Sequence, residues 1–197
     1  VRSKRWLAAV AESWWIADQA LAKMRPEFTG PGALEQVRLE AQLEDAASRP
    51  ADLAQRIETV GDPDAMLSEP SIVRRFDVAP AAHAPLETAS ATARLAAGRL
   101  ELWMAAQAPA AARDAAAQAV GLSASDVVLY PMPAGGSFDA RLEKRHAIEV
   151  AQIAAEVGRP VQLTWSRPQD FQAVPPRAPV SAEIAAKLGA EGQPVAW

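Results

Sequence analysis

Apolar and polar positions along this chain recur with two different periods, and the switches between them outline its elements. Trp6 to Ala11 is an unbroken apolar run that suits a short buried strand. Ser13 to Met24 then shows helical spacing, with Ser13 as N-cap and Pro26 as the stop. Thr29-Gly30-Pro31-Gly32 is a turn signal, and Ala33 to Ala47 reads as an amphipathic helix carrying Leu34, Val37 and Leu43 among many charges. Arg49 to Pro70 is mixed, with a turn at Gly61-Asp62-Pro63-Asp64 and one helical turn through Leu67. Ile72 to Val78 is expected to be an edge strand, because Arg74, Arg75 and Asp77 interrupt its apolar positions. Ala79 to Pro85 holds two prolines among seven residues and is the expected boundary between two lobes, 1–78 and 79–197.

Beyond that joint, Thr88 to Arg94 and Arg99 to Ala105 predict a hairpin around Ala96-Ala97-Gly98. Pro109 opens a helix at a favoured first-turn position and Gly121 ends it. Strand Val127 to Met132, a Gly-Gly loop, helix Arg141 to Val157 with Gly158 as C-cap, and strand Pro160 to Trp165 follow as one crossover unit. In the tail, Ala182 to Leu188 has helical periodicity, while the turn at Gly189 to Gly192 permits a hairpin instead. The expected class is α+β.

Composition narrows the chemistry. With 50% hydrophobic residues in 197, the chain has enough apolar surface for an ordinary core in one domain or two small ones. Cysteine is absent, so thiolate-ligated zinc, iron–sulfur clusters and a cysteine nucleophile have no residue to build on. That absence is neutral between a periplasmic and a cytoplasmic bacterial protein. Only His83 and His146 are present, which argues against a His-rich metal site. A net charge of −4, with no basic cluster beyond Arg2, Lys4 and Arg5, leaves no footprint for nucleic acid. No run reaches the length of a membrane span.

The most informative stretch is Pro133-Ala134-Gly135-Gly136-Ser137-Phe138, between a predicted strand and a predicted helix. Paired glycines let the backbone approach a ligand closely, and successive N–H groups near a helix start attract an anion. The same residues suit a plain tight turn. Gly135 to Asp139 also looks like a G-x-S-x-G nucleophile elbow without its last glycine. His146 lies nine residues on, roughly 13 Å along the predicted helix, too far to serve Ser137 as a base. His83 and Glu87 suggest acid–base work or half a metal site, but the flanking Pro80 and Pro85 favour a structural hydrogen-bonding role.

The stretch Gly135 to Glu143, continued by Val157 to Arg167, resembles the large subunit of the xanthine dehydrogenase/aldehyde oxidase family. It is most similar to the isoquinoline 1-oxidoreductase and membrane-bound aldehyde dehydrogenase branch. His83-Ala84-Pro85-Leu86-Glu87 and Trp103 to Pro109 fall in the order and spacing of that family. The resemblance implies a partial α/β hammerhead domain over 1–78, then the first part of a molybdopterin-binding domain over 79–197, with a mixed sheet and crossover helices. It also implies strands in the tail, with Ala190 to Gln193 as their turn.

By the same resemblance, Gln107 matches a glutamine whose amide approaches the molybdenum oxo group. Gly135, Gly136, Ser137 and Phe138 match the loop that lies against molybdopterin. The implied partners are an iron–sulfur subunit, a cytochrome and the remainder of the large subunit. The implied reaction is hydroxylation of an aldehyde or N-heteroaromatic carbon with oxygen from water. Two departures temper this. Asp139 stands where the family carries glycine, and it is expected to cap the following helix and repel an anionic cofactor. The family's general-base glutamate matches none of Glu143, Glu149 or Glu156, which are expected on a solvated helix face. The chain alone is therefore expected not to turn over substrate. A cofactor-free domain with a structural or subunit-interaction role is the alternative.

Overall fold

The computed structural model describes residues 1–30, 32, 35–48 and 55–197. Pro31 of the expected turn, Ala33 and Leu34 of the second expected helix, and 49–54 of the mixed stretch lie outside the described residues. The chain forms two units, residues 1–29 with 82–176 and residues 30–81 with 177–197. The chain passes from one unit to the other between Thr29 and Gly30, between Ala81 and Ala82, and between Pro176 and Arg177. Residues 1–29 group with 82–176 instead of with the residues that follow them, and the tail returns to pair with an early strand.

In the first unit, α1 (Trp14–Met24) is capped by Ser13, whose hydroxyl accepts from the Ile16 N–H, and it ends at Arg25 in the left-handed region. Trp6 to Ala11 forms no strand. The segment turns back through the Arg2–Leu7 bridge, and Trp6 and Ala8 lie against the core. Strands β2 (Ser90–Ala96) and β3 (Arg99–Met104) form the expected hairpin, turned by Ala97 and Gly98 at φ 48 and 74. Two successive positive φ values match the right-handed twist of the flanking strands.

Helix α2 (Pro109–Ala119) connects β3 to β4 (Val127–Pro131), which pairs with β3 in parallel. Helix α3 (Arg145–Val157), with Gly158 as its left-handed C-cap, leads to β5 (Val161–Thr164), antiparallel to β2. The sheet order β4-β3-β2-β5 is mixed, as expected, with α3 crossing between its two outer strands. Alternate residues of the central strands (Ala91, Ala93, Leu100, Leu102, Met104) bury against Ala112, Ala116, Val150 and Ile153 of the helices.

Two boundaries differ from expectation. Residues Ala140–Leu142 form a 3-10 turn and α3 starts only at Arg145, because Glu143 is extended at φ −68 and ψ 140 and interrupts the helical run. Helix α4 (Arg167–Ala173) was not anticipated, although Ser166 and Gln169 make a capping box with Pro168 in the first turn.

In the second unit, α5 (Gln36–Ser48) and the short α6 (Pro63–Met66), capped by Asp62, accompany β1 (Ile72–Val78). Strand β6 (Val180–Leu188) pairs with β1 antiparallel over its full length, and β7 (Pro194–Ala196) adds to β6. The tail is therefore a hairpin. Its helical spacing arises from Ile184, Ala185 and Leu188 without a helix being formed.

Candidate functional site

The Gly135-to-Phe138 bend lies at the exposed end of β4, and the fold brings Gln107 to it. Ser137 Oγ donates to Gln107 Oε1 at 2.6 Å, and Gln107 Nε2 donates to Asp139 Oδ1 at 3.3 Å. A carboxylate only accepts, so these two contacts set the orientation of the amide. One N–H of Gln107 is left to point elsewhere. The Gln107 backbone is held too, its N–H donating to Arg141 O at 3.0 Å. All five expected site residues are thus gathered at one surface, with Phe138 58% exposed.

The two glycines of the bend lie close against other parts of the chain. A Cβ on Gly135 would come within 2.7 Å of Glu87 Cβ, and one on Gly136 would lie 3.3–3.4 Å from the Phe138 ring and Pro85. They allow the bend to close on the chain's own Pro85–Glu87 segment. Gly136 also needs its φ of +93. Glu87 grips the bend at two points: Oε2 accepts from the Gly135 N–H at 2.7 Å, and its own N–H donates to Gly135 O at 3.0 Å. Among the described residues, the N–H groups of Gly136, Ser137 and Phe138 have no protein acceptor.

The Asp139 side chain does not cap a helix. The residue precedes the 3-10 turn at a left-handed φ of 73 and ψ of −6, no side-chain cap hydrogen bond forms, and its carboxylate turns to Gln107. Glycine, which the family resemblance places here, adopts that conformation without strain, and aspartate is among the residues that tolerate it best.

His83 is structural, as its proline-rich setting implied. Its Nδ1 faces Phe138 O and its Nε2 lies 3.1 Å from Pro175 O. It does not meet Glu87, and no cluster of metal-ligating side chains occurs among the described residues. His146 is 2% exposed and packs edge-on to Trp165, while the Ser137 hydroxyl is engaged by Gln107, so no Ser–His pair forms. Burial first, and then the Arg141 guanidinium, push the His146 pKa down to about 4. Glu149, expected on a solvated face, is instead buried and accepts from Arg145 Nε at 2.7 Å and Trp165 Nε1 at 3.1 Å. Trp165 provides the indole donor that lets this carboxylate sit inside.

Arg141 was missed by sequence reasoning. It is 4% exposed, and its Nη2 donates to Glu87 O at 2.9 Å and Thr88 O at 3.1 Å. Helical periodicity from Arg141 gave no sign of this, because the residue lies in the 3-10 turn. The adjoining cavity, bounded by His83, Pro85, Ala140, Asp170 and Phe171, measures about 100 Å³ and contains neither Gln107 nor Gly135. The candidate site is accordingly an open surface of donors.

Known proteins resemble this chain in sequence and fold. Residues 46–197 match the model of the molybdopterin cofactor-binding domain. The beta subunit of isoquinoline 1-oxidoreductase from Brevundimonas diminuta is 29% identical over 106 residues, covering 53% of this chain and 14% of that protein. Aldehyde oxidoreductase from Desulfovibrio gigas superposes with a TM-score of 0.55 at 26% identity, covering 64% of this chain and 15% of that one. Quinoline 2-oxidoreductase from Pseudomonas putida 86 superposes at 0.57 with 24% identity, over 82% of this chain and 22% of that one, a likeness of fold. The chain thus spans about a seventh of the curated relative's length.

Proposed function

The chain belongs to the molybdopterin cofactor-binding domain family, and on that premise we propose that it is the cofactor-binding region of a molybdenum hydroxylase. The proposed reaction is oxidation of an aldehyde or N-heteroaromatic carbon, with water as oxygen source. The observation that carries this reading is the Gln107–Ser137 hydrogen bond at an exposed bend whose next N–H groups are free. This donor set fits a polar anionic group. The Gly136, Ser137 and Phe138 N–H groups face no internal acceptor, and Gln107 keeps one N–H available beside them.

When bound, molybdopterin supplies the redox chemistry. The chain's own part is orientation. Ser137 and Asp139 fix the Gln107 amide from its two ends, and the free N–H groups of the bend meet negative charge without reorganising. Asp139 acts in the other direction, since it brings a carboxylate to the Gln107 amide. That contact is what favours the rival reading, a cofactor-free domain with a structural or interaction role.

The same proposal includes the finer division into a partial hammerhead-like domain over 1–78 and the first part of the molybdopterin-binding domain over 79–197. It also includes partners: the remainder of a large subunit, an iron–sulfur subunit and a cytochrome. In this proposal the general base comes from outside the chain, which by itself does not turn over substrate. Molybdenum measured by mass spectrometry on protein purified from a cofactor-making host tests the reading. Bound molybdenum is expected in the full-length protein, and a folded protein without metal leaves only the rival.

A further inference from the structure

The segment Leu86 to Ala89 is gripped at every residue. Arg167 Nη2 donates to Leu86 O at 2.8 Å, Arg141 Nη2 to Glu87 O and Thr88 O, and Asp170 Oδ1 accepts from the Ala89 N–H at 3.2 Å. From this clamped segment, the Glu87 side chain reaches the Gly135 N–H. Arg141 also acts through its main chain, its carbonyl accepting from the Gln107 N–H. One residue therefore joins three pieces of the candidate site that lie far apart in sequence: Glu87, Gln107 and the bend.

A buried guanidinium is a costly way merely to fill space. Among the described residues no carboxylate is within ion-pair distance of Arg141, and its Nε has no partner. An apolar side chain of similar length would pack there without a charge to desolvate. What it would lose is the pair of hydrogen bonds to Glu87 O and Thr88 O.

We propose that Arg141 and Glu87 are positioning residues that hold the Gly135-to-Phe138 bend in register with Gln107, so that the free N–H groups and the glutamine amide meet one ligand. The ligand is the cofactor of the proposed function, and this inference rests on that reading. Arg141 sets the height of the Glu87 backbone, and Glu87 transmits it to Gly135 through two hydrogen bonds. The Arg141 carbonyl sets the Gln107 backbone at the same time.

Amide hydrogen exchange on the full chain tests the geometry without any cofactor. Gly135 is the reporter, and the amides of Leu100 to Met104 are the internal reference. Arg141→Met removes the side-chain bonds to Glu87 O and Thr88 O and should speed exchange at Gly135 by about tenfold, the worth of one hydrogen bond, leaving the reference within about twofold. A general loss of stability would speed the reference equally and would overturn the proposal, as would an unchanged Gly135 in a folded variant.

Should Arg141→Met fail to fold, Glu87→Ala carries the test, because that side chain is exposed. It should speed exchange at Gly135 by about tenfold, and Glu87→Gln, which keeps an acceptor oxygen, should restore it to within about threefold. Gly135 exchanging at its normal rate in Glu87→Ala overturns the inference. In a cofactor-making host, molybdenum per chain should fall by about tenfold in Arg141→Met and Glu87→Ala and recover in Glu87→Gln. Full metal content in a variant with a loosened bend also overturns it. Wild-type protein without metal would defeat the functional reading while leaving the exchange result standing.

Discussion

The two units of this chain use the same strand pattern to opposite effect. In the unit holding β2 to β5, alternate residues of the central strands are sealed under helices, and Leu100, Leu102 and Ala93 reach 0% exposure. In the other, Ile72, Phe76 and Val78 also alternate, facing Ala186, Ala182 and Val180 across the β1–β6 ladder. Yet every residue of β1 is exposed, Phe76 at 54%. Alternation is enough to specify a strand and its register, but burial needs a second layer over the apolar face. The candidate site belongs to the unit that has such a layer. That matters for Phe138 and Asp139, whose positive φ values persist only where surrounding contacts hold them.

The sharpest way to break this comparison is a matched pair of truncations. Leu102→Ala should cost about 2–5 kcal/mol in urea unfolding, and Phe76→Ala less than about 1 kcal/mol. Equal costs would mean that exposure is a poor guide to where this chain stores its stability.

Acid should also separate the units. His146 has a folded pKa of about 4 against an ordinary 6.5, so as pH falls the unfolded chain binds the proton first. Its contribution is complete above about pH 6.5 and declines by roughly 1.4 kcal/mol per pH unit down to about 4. Unfolding of the core-bearing unit, followed by the near-ultraviolet signal of Trp165 and Trp103, should carry that slope. His146→Gln should flatten it, and a slope that survives the substitution would locate the proton uptake elsewhere.

The smallest effect on stability is expected from Asp139→Gly. Removing left-handed strain and adding chain entropy nearly cancel, leaving a change within about 1 kcal/mol. Molybdenum content should nonetheless rise, because the carboxylate that draws on the Gln107 amide is gone. Unaltered content would show that Asp139 does not oppose the cofactor.

Much of the fold was legible residue by residue. Ser13 before an apolar helix, Pro109 at a helix start, Gly158 after one and Ala97-Gly98 between alternating runs each act locally, and each appears where its chemistry required. Where the reading missed, the deciding contact was distant. Trp6 to Ala11 had strand composition but no neighbouring ladder to join. Val180 to Leu188 had a helical period, yet β1 offered it a full-length partner. Glu149 looked solvated until Trp165 came within reach.

Short-range rules, then, decided the caps, the turns, the alternating strands and the place of the glycine bend, because those depend on backbone sterics and on neighbours a few positions away. The family resemblance was likewise written in the order of short motifs. Long-range packing alone decided that Gln107 would meet Ser137, that Glu87 would occupy the Gly135 N–H and that Arg141 would turn inward. Each of those contacts joins residues about 30 or more positions apart, and only closure of the sheet under its helices brings their partners together.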